Sequence, residues 1–320
     1  MIIGVEIGGT KLQAAVGRAD GSLIQSIRGR VDVSRGSAGI LEWLRENVTG
    51  LRAARRGETL DAIGVGFGGP VDSARGTVIH SGHVSGWDGM ELKRWFEEGF
   101  GVPSFIFNDS SAAGWGEYVL GSGRGTSEFF YTNIGSGIGG SLVVHGQLCD
   151  GQGYGAAEIG HTSIPDWTAQ APGAGAKLED LCSGWAIDRR LRGEGYVPEG
   201  SLLMELCGGN RPALDARLLG TAAHQNDPFA LEELDRVARG MGMALANVLC
   251  LLQPQRIAVG GGVSLIGAPL IDRIREETRR REFISNRGHW ELVQCALGEA
   301  VVLQGAILLA AEAIRGSVRA

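Results

Sequence analysis

Ile2-Ile3-Gly4-Val5-Glu6-Ile7-Gly8-Gly9-Thr10-Lys11-Leu12-Gln13-Ala14-Ala15-Val16 is the stretch on which the fold turns. Ile2 to Ile7 is a short β-rich run that Gly8-Gly9 ends, and Leu12 to Val16 is extended again. Asp20-Gly21 is a hairpin signal before a third extended run, Ser22 to Arg28. The same order returns downstream. Phe129 to Ile134 is strand-like, Gly135 to Gly140 is a glycine turn, and Ser141 to His145 is strand-like again. Two α/β halves that each open on a glycine-turned hairpin predict a duplicated fold with a ligand cleft between the halves.

Between the two hairpins the spacing predicts helices over Ile40 to Leu51, Leu92 to Phe100 and Ser110 to Leu120, with strands over Ala62 to Phe67 and Pro103 to Phe107. Downstream it predicts helices over Leu178 to Leu191, Pro212 to Ala223, Pro228 to Leu252 and Leu270 to Arg281. Strands fall at Arg256 to Val259 and Leu292 to Ala296, followed by a C-terminal helix.

The chain has 320 residues, a length that favours two domains. Glycine supplies 53 of them, more than twice the average usage of about 7%. These glycines have no collagen period but cluster, as in Gly68-Gly69 and Gly260-Gly261-Gly262, which marks sharp turns or close approach to a ligand. The net charge of −6 argues against a phosphate-backbone binder. Five dispersed cysteines without a Cys-x-x-Cys pair fit free thiols in a reducing cytoplasm. No signal peptide is visible, and the apolar run Val301 to Ala313 is too short for a membrane span of about 20 residues. The expectation is a soluble, cytoplasmic protein.

Several motifs carry possible chemistry. Gly8-Gly9-Thr10-Lys11 sits between two strands, where backbone N–H groups can face an anion; a plain hairpin turn is the alternative. It is not a Walker loop, which leads into a helix. Gly135-Ser136-Gly137 occupies the equivalent place in the second half, so the two turns together suit a polyphosphate. Gly261 and Gly262, after a strand, suit an adenosine pocket or a simple strand-to-helix turn. Asn108-Asp109 precedes Ser110-Ser111 and reads either as a helix cap or as a carboxylate at the carboxyl end of a strand, where open α/β sheets place ligands. Glu158, His161 and Glu179 gather hydrogen-bonding groups suited to sugar hydroxyls, with metal binding as the rival reading.

Taken in order, these motifs resemble the ROK family of repressors, open reading frames and sugar kinases, and the resemblance runs from the first strand to the last helix. Glu6-Ile7-Gly8-Gly9-Thr10-Lys11 matches a family opening that has aspartate in the first place. Gly66 to Asp72, Asn108-Asp109, Gly135 to Gly140, Glu158-x-x-His161, Leu178-Glu179 with Ser183-Gly184, the Gly260 triplet and Gly298-Glu299-Ala300 follow in register. The resemblance implies an α/β fold of two actin-like, ribonuclease-H-like domains with a ligand cleft between them. One spans 1–118, with the 303–320 helix packing back on it, and the other spans 119–302.

It also implies an ATP-dependent hexose kinase using Mg²⁺, acting on the 6-hydroxyl of glucose, a related hexose or an N-acetylhexosamine. Asp109 would be the catalytic base. Asn108, Glu158, His161 and Glu179 would hold the sugar. Gly8, Gly9, Thr10, Lys11, Gly135, Ser136 and Gly137 would hold the phosphates, Gly261 and Gly262 would lie near the nucleoside, and Glu6 would face the metal. A homodimer is implied as well, with no membrane partner; a nucleic-acid partner is not expected, because the hairpin starting at Ile2 leaves no room for a repressor's helix-turn-helix.

Four departures stand out. Glu6 replaces the aspartate, Gly68 stands where a proline is usual, and His83 falls where an asparagine is common. The family's zinc loop is missing: Lys177 holds the third cysteine position and Cys182 is out of register, so no zinc site is expected and His161 is not read as a zinc ligand. The loop from Thr162 to Lys177 must then be ordered otherwise, with Trp167 and Pro172 as candidates. A sugar-binding sensor of weak or no activity is the alternative to a kinase.

Overall fold

The computed structural model describes residues 1–82, 84–171 and 173–317, so His83 and Pro172 lie outside the described residues. The opening hairpin forms as its sequence dictates. β1 (Ile2–Ile7), β2 (Lys11–Gly17) and β3 (Leu23–Arg30) make an antiparallel meander. α1 (Gly36–Ala53) leads to β4 (Ala62–Phe67), whose buried apolar run suits a central strand. A small hairpin, β5 (Val71–Asp72) and β6 (Thr77–Val78), precedes α2 (Leu92–Phe100), β7 (Ser104–Asn108) and α3 (Asp109–Leu120). The first sheet has the order β3-β2-β1-β4-β7, with β1, β4 and β7 parallel.

β8 (Phe129–Ile134), β9 (Ile138–Val144) and β10 (Gln147–Cys149) repeat the meander. A short hairpin, β11 (Ser163–Pro165) and β12 (Gly175–Lys177), follows. Then come α4 (Leu178–Cys182), α5 (Gly184–Arg192), α6 (Leu202–Leu206), α7 (Ala216–His224) and α8 (Pro228–Leu252). β13 (Arg256–Gly260), α9 (Ala268–Arg279), β14 (Glu291–Gln294) and α10 (Val301–Ser317) complete the chain. The second sheet has the order β10-β9-β8-β13-β14.

The chain divides into two compact units. The first comprises Met1–Gly125, Ser141–Ala156 and the segment from Ala296 onward; the second comprises Thr126–Gly140 and Ala157–Cys295. In the first, Val5, Leu12, Leu44, Phe67, Trp87 and Phe96 build the core on one face of the sheet. α10 covers the other face closely: a Cβ on Gly64 of β4 would sit 2.1 Å from the Ala306 carbonyl oxygen, so only glycine allows that approach. In the second unit the long α8 packs on α9 and α4.

Two expectations are corrected, and one element is new. The predicted helix over Leu178 to Leu191 is two helices, because Ser183 is extended (ψ 162°) and its Oγ caps α5 at Ala186 N. Helix α7 starts only after Asp215, whose carboxylate accepts from Arg217 N and Leu218 N, with a short 3₁₀ turn at Arg211–Ala213 before it. The β11–β12 hairpin was not foreseen, since its strands are three residues each. Among the described residues no helix is long and apolar enough to cross a membrane.

Candidate active site

In the first unit, register brings three loops level. Ile7 pairs with Phe67 and Phe67 with Asn108, so β1, β4 and β7 end together and the chain leaves all three at their carboxyl ends. Those exits are the Gly8 turn, Gly68-Gly69 and Asp109. This is where open α/β sheets take ligands. The Gly8 turn closes with a Gly8 N–H to Lys11 O bond of 3.0 Å and leaves Thr10 exposed at its tip.

Asn108 is the cap that the helix start required: its Oδ1 accepts from Ser110 N (2.9 Å) and Ser111 N (3.1 Å), and its Nδ2 donates to Gly69 O (3.2 Å). Asp109 is the first residue of α3, one position past that cap. It is half-buried, and its Oδ1 accepts from Ser110 N at 2.7 Å. A Cβ added to Gly68 would lie 3.3 Å from Asp109 Oδ2, 3.3 Å from Ile7 O and 3.4 Å from Gly8 Cα. The Asp109 carboxylate and the Gly8 turn therefore flank the same glycine. Gly68 N–H also donates to Ile7 O at 2.8 Å, a bond that a proline there would lack.

Glu6 is nearly buried, and both its oxygens are engaged. Lys11 Nζ lies 3.1 Å from Oε1, and Gln13 Nε2 donates to Oε2 at 2.6 Å. Burial raises the Glu6 carboxyl above the usual range, and Lys11 and Gln13 oppose that shift. Mg²⁺ needs ligand oxygens at about 2.0–2.1 Å. Each Glu6 oxygen carries one partner and keeps a second lone pair, which is the position a metal ion would take. Among the described residues no group of three or more His, Cys, Asp and Glu side chains is placed to hold a metal.

In the second unit, Gly135 N–H donates to Gly137 O at 2.9 Å and Gly139 N–H to Asn133 Oδ1 at 3.0 Å, leaving Ser136 exposed at the tip. The turn is braced from behind. Gly184 N–H, at the start of α5, donates to Gly135 O at 2.7 Å. Gly261 has φ +83°, and a Cβ there would meet Ile134 C and O at 2.5 Å. The glycine triplet after β13 thus abuts the glycine turn, while Gly262 faces open space.

Glu158, His161 and Glu179 come together beside that turn. His161 Nε2 lies 3.6 Å from Glu179 Oε1. The other oxygen, Oε2, lies 3.5 Å from Ile138 N and would lie 3.1 Å from a Cβ on Gly137. Desolvation raises the Glu158 carboxyl, the Glu179 charge adds to the shift, and His161 opposes it. Glu158 sits at the N-cap position of a short 3₁₀ turn, Ile159–His161, without a side-chain cap bond, and the turn lies directly on β9. A Cβ on Gly160 would fall 2.0 Å from Ile138 O, so the glycine is what lets the turn lie there.

The segment from Thr162 to Lys177 is anchored by packing. Trp167, Ile164 and Cys182 meet over Gly240 of α8, where a Cβ would lie 3.2, 3.0 and 2.6 Å from their nearest atoms. The Arg190 guanidinium stands 5.9 Å from the Trp167 ring centroid and pairs with the buried Glu233. Burial pushes the Cys182 thiol up to about 12, and its Sγ donates to the Val237 carbonyl within the core. The purified protein is expected to hold no structural zinc; mass spectrometry finding one tightly held equivalent per chain would overturn this.

The family model described as "ROK family" matches residues 2–313. This chain belongs to the ROK family. Glucokinase of Thermotoga maritima is 31% identical over 316 residues, 98% of each chain. The structure of a ROK family glucokinase from Streptomyces griseus in complex with glucose and AMPPNP superposes with a TM-score of 0.84 at 31% identity, covering 97% of this chain and 99% of that one. Xylose repressor of Caldicellulosiruptor bescii is 22% identical over 312 residues, 96% of this chain and 77% of its own length. The fold is the two-domain actin-like α/β fold of the ROK glucokinases. Sequence reasoning missed Gln13 at this site. Its only signal was one polar residue inside the otherwise apolar run Leu12 to Val16.

Proposed function

We propose that this chain is an ATP-dependent kinase that phosphorylates the 6-hydroxyl of glucose, a related hexose or an N-acetylhexosamine. The coarse class, a sugar kinase acting on hexoses, rests on kinship with named glucokinases over nearly the whole chain. The observation that carries the finer reading is the half-buried Asp109 carboxylate next to the Gly8 turn across Gly68. In this reading Asp109 takes the proton of the sugar hydroxyl as that oxygen attacks the γ-phosphorus, the bond to the ADP oxygen breaks, and ADP leaves. Phosphoryl transfer asks a protein mainly for positioning and charge neutralisation.

Gly8 to Lys11 and Gly135 to Gly137 would cradle the phosphates with backbone N–H groups, and Gly261 and Gly262 would border the nucleoside. Mg²⁺ bound to the nucleotide would supply further charge neutralisation; Glu6, which holds Lys11 at the turn, would face the ion. Asn108, Glu158, His161 and Glu179 would hold sugar hydroxyls. We further read domains of 1–118, with the 303–320 helix packed back on it, and 119–302, a cytoplasmic homodimer, and no nucleic-acid partner.

Glu179→Ala is expected to raise the sugar KM about ten- to a hundredfold. A hydrogen bond to a charged group is worth roughly 1.5–3 kcal/mol, and each 1.4 kcal/mol is about tenfold. An unchanged KM would remove Glu179 from the sugar site. The second reading, a sugar-binding sensor, is favoured by kinship with a xylose repressor. ADP release from Mg-ATP across a panel of hexoses and N-acetylhexosamines decides between them: sugar-dependent release supports the kinase, and binding without release supports the sensor.

A further inference from the structure

Glu6 and Gln13 face each other directly across the β1–β2 hairpin. Directly opposed residues of an antiparallel pair place their side chains on one face, in contact range. Gln13 is fully buried, and its Nε2 donates both to Glu6 Oε2 (2.6 Å) and to the Glu299 carbonyl oxygen (3.0 Å). Its Oε1 is buried without a hydrogen-bond partner among the described residues. The two Nε2 bonds are therefore the hydrogen bonds that orient the amide, and the unpaired Oε1 is a cost they offset. With Oε2 fixed by Gln13, Oε1 is turned to Lys11 Nζ at 3.1 Å, and the ammonium is held at the glycine turn.

We propose that Gln13 is a positioning residue that sets the reach of Glu6, so that the two form a matched pair in place of the shorter aspartate of the family motif. The proposal rests on the reading that the Gly8 turn holds nucleotide phosphates. Aspartate at position 6 would withdraw the carboxylate by one methylene, about 1.5 Å by analogy with backbone bond lengths. The 2.6 Å bond would open beyond hydrogen-bond range and leave the buried amide with a stranded donor as well as a stranded acceptor. Restoring the family's aspartate alone therefore harms this chain, and it is tolerated only when the amide is removed too.

A double-mutant cycle tests this with Glu6→Asp, Gln13→Met and the double variant, methionine keeping the length of glutamine without its amide. Two quantities are read: the thermal unfolding midpoint of the ligand-free protein and the Kd for AMPPNP by calorimetry, neither of which needs turnover. Each single variant is expected to unfold at a lower temperature and to bind AMPPNP about tenfold more weakly, with sugar Kd changed less than twofold. The double variant is expected to lose less than the sum of the two. Additive midpoints would overturn the matched pair. Non-additive midpoints with AMPPNP Kd unchanged in every variant would overturn the positioning role at the phosphates, and wild type that does not bind AMPPNP at all would instead overturn the nucleotide reading beneath it. Should Gln13→Met fail to fold, Gln13→Leu takes its place in the cycle.

Discussion

Asp109→Asn is expected to lower turnover by about 10²–10⁴, the usual contribution of a general base, while sugar Kd stays within about tenfold of wild type. Asparagine keeps the shape and an oxygen that can accept from Ser110 N, as Asp109 Oδ1 now does at 2.7 Å. What it loses is the capacity to take a proton. The neighbouring Asn108 already caps α3 through two backbone bonds, so the helix start does not depend on Asp109. Steady-state rates at saturating Mg-ATP and sugar, beside calorimetric sugar binding, provide the check. Wild-type turnover in this variant would reduce Asp109 to a favourable charge at a helix N-terminus.

The second large effect concerns stability. Glu233→Gln is expected to cost about 3–5 kcal/mol in the unfolding of the second unit, the range for breaking a buried ion pair at one partner. Glu233 is fully buried and accepts from Arg190 Nε (2.9 Å) and Nη2 (2.6 Å) and from the Tyr196 hydroxyl (2.6 Å). Arg190 is itself nearly buried, and its third contact is the Leu181 carbonyl at the end of α4, the helix that carries Glu179. Glutamine leaves the guanidinium without its countercharge beneath Trp167. The exposed pair of Asp235 with Arg273, on the same helix but sharing no partner with Glu233, is the control, and Asp235→Asn should stay within about 0.5 kcal/mol. Urea unfolding that gave both variants the same loss would show that burial of the Arg190–Glu233 pair has no special weight.

Local chemistry was legible in the chain alone. Strand, glycine turn and strand at both openings follow from β-rich runs cut by glycine pairs, and the Asn108 cap follows from a polar pair ahead of an apolar helix. Periodicity likewise fixed α8, where Pro228 opens a long apolar stripe and Asp227 caps it. The motif order was enough to place the chain in its family. Periodicity did not reveal the break at Ser183, because apolar spacing continues on both sides of a single extended residue.

Tertiary structure alone decided which of these residues meet. Parallel pairing of β1, β4 and β7 levels three loops from distant parts of the sequence and sets Gly68 between Asp109 and Gly8. Cross-strand register, which one residue of slip would reverse, turns Gln13 toward Glu6 instead of away from it. The approach of Glu179 to the Gly135 turn and the union of Arg190 with Glu233 depend on helix packing, with nothing in either segment's own pattern to announce them. Local propensity is written residue by residue along the chain. The pairing of buried polar groups is set by which segments pack together, and only the folded structure supplies that.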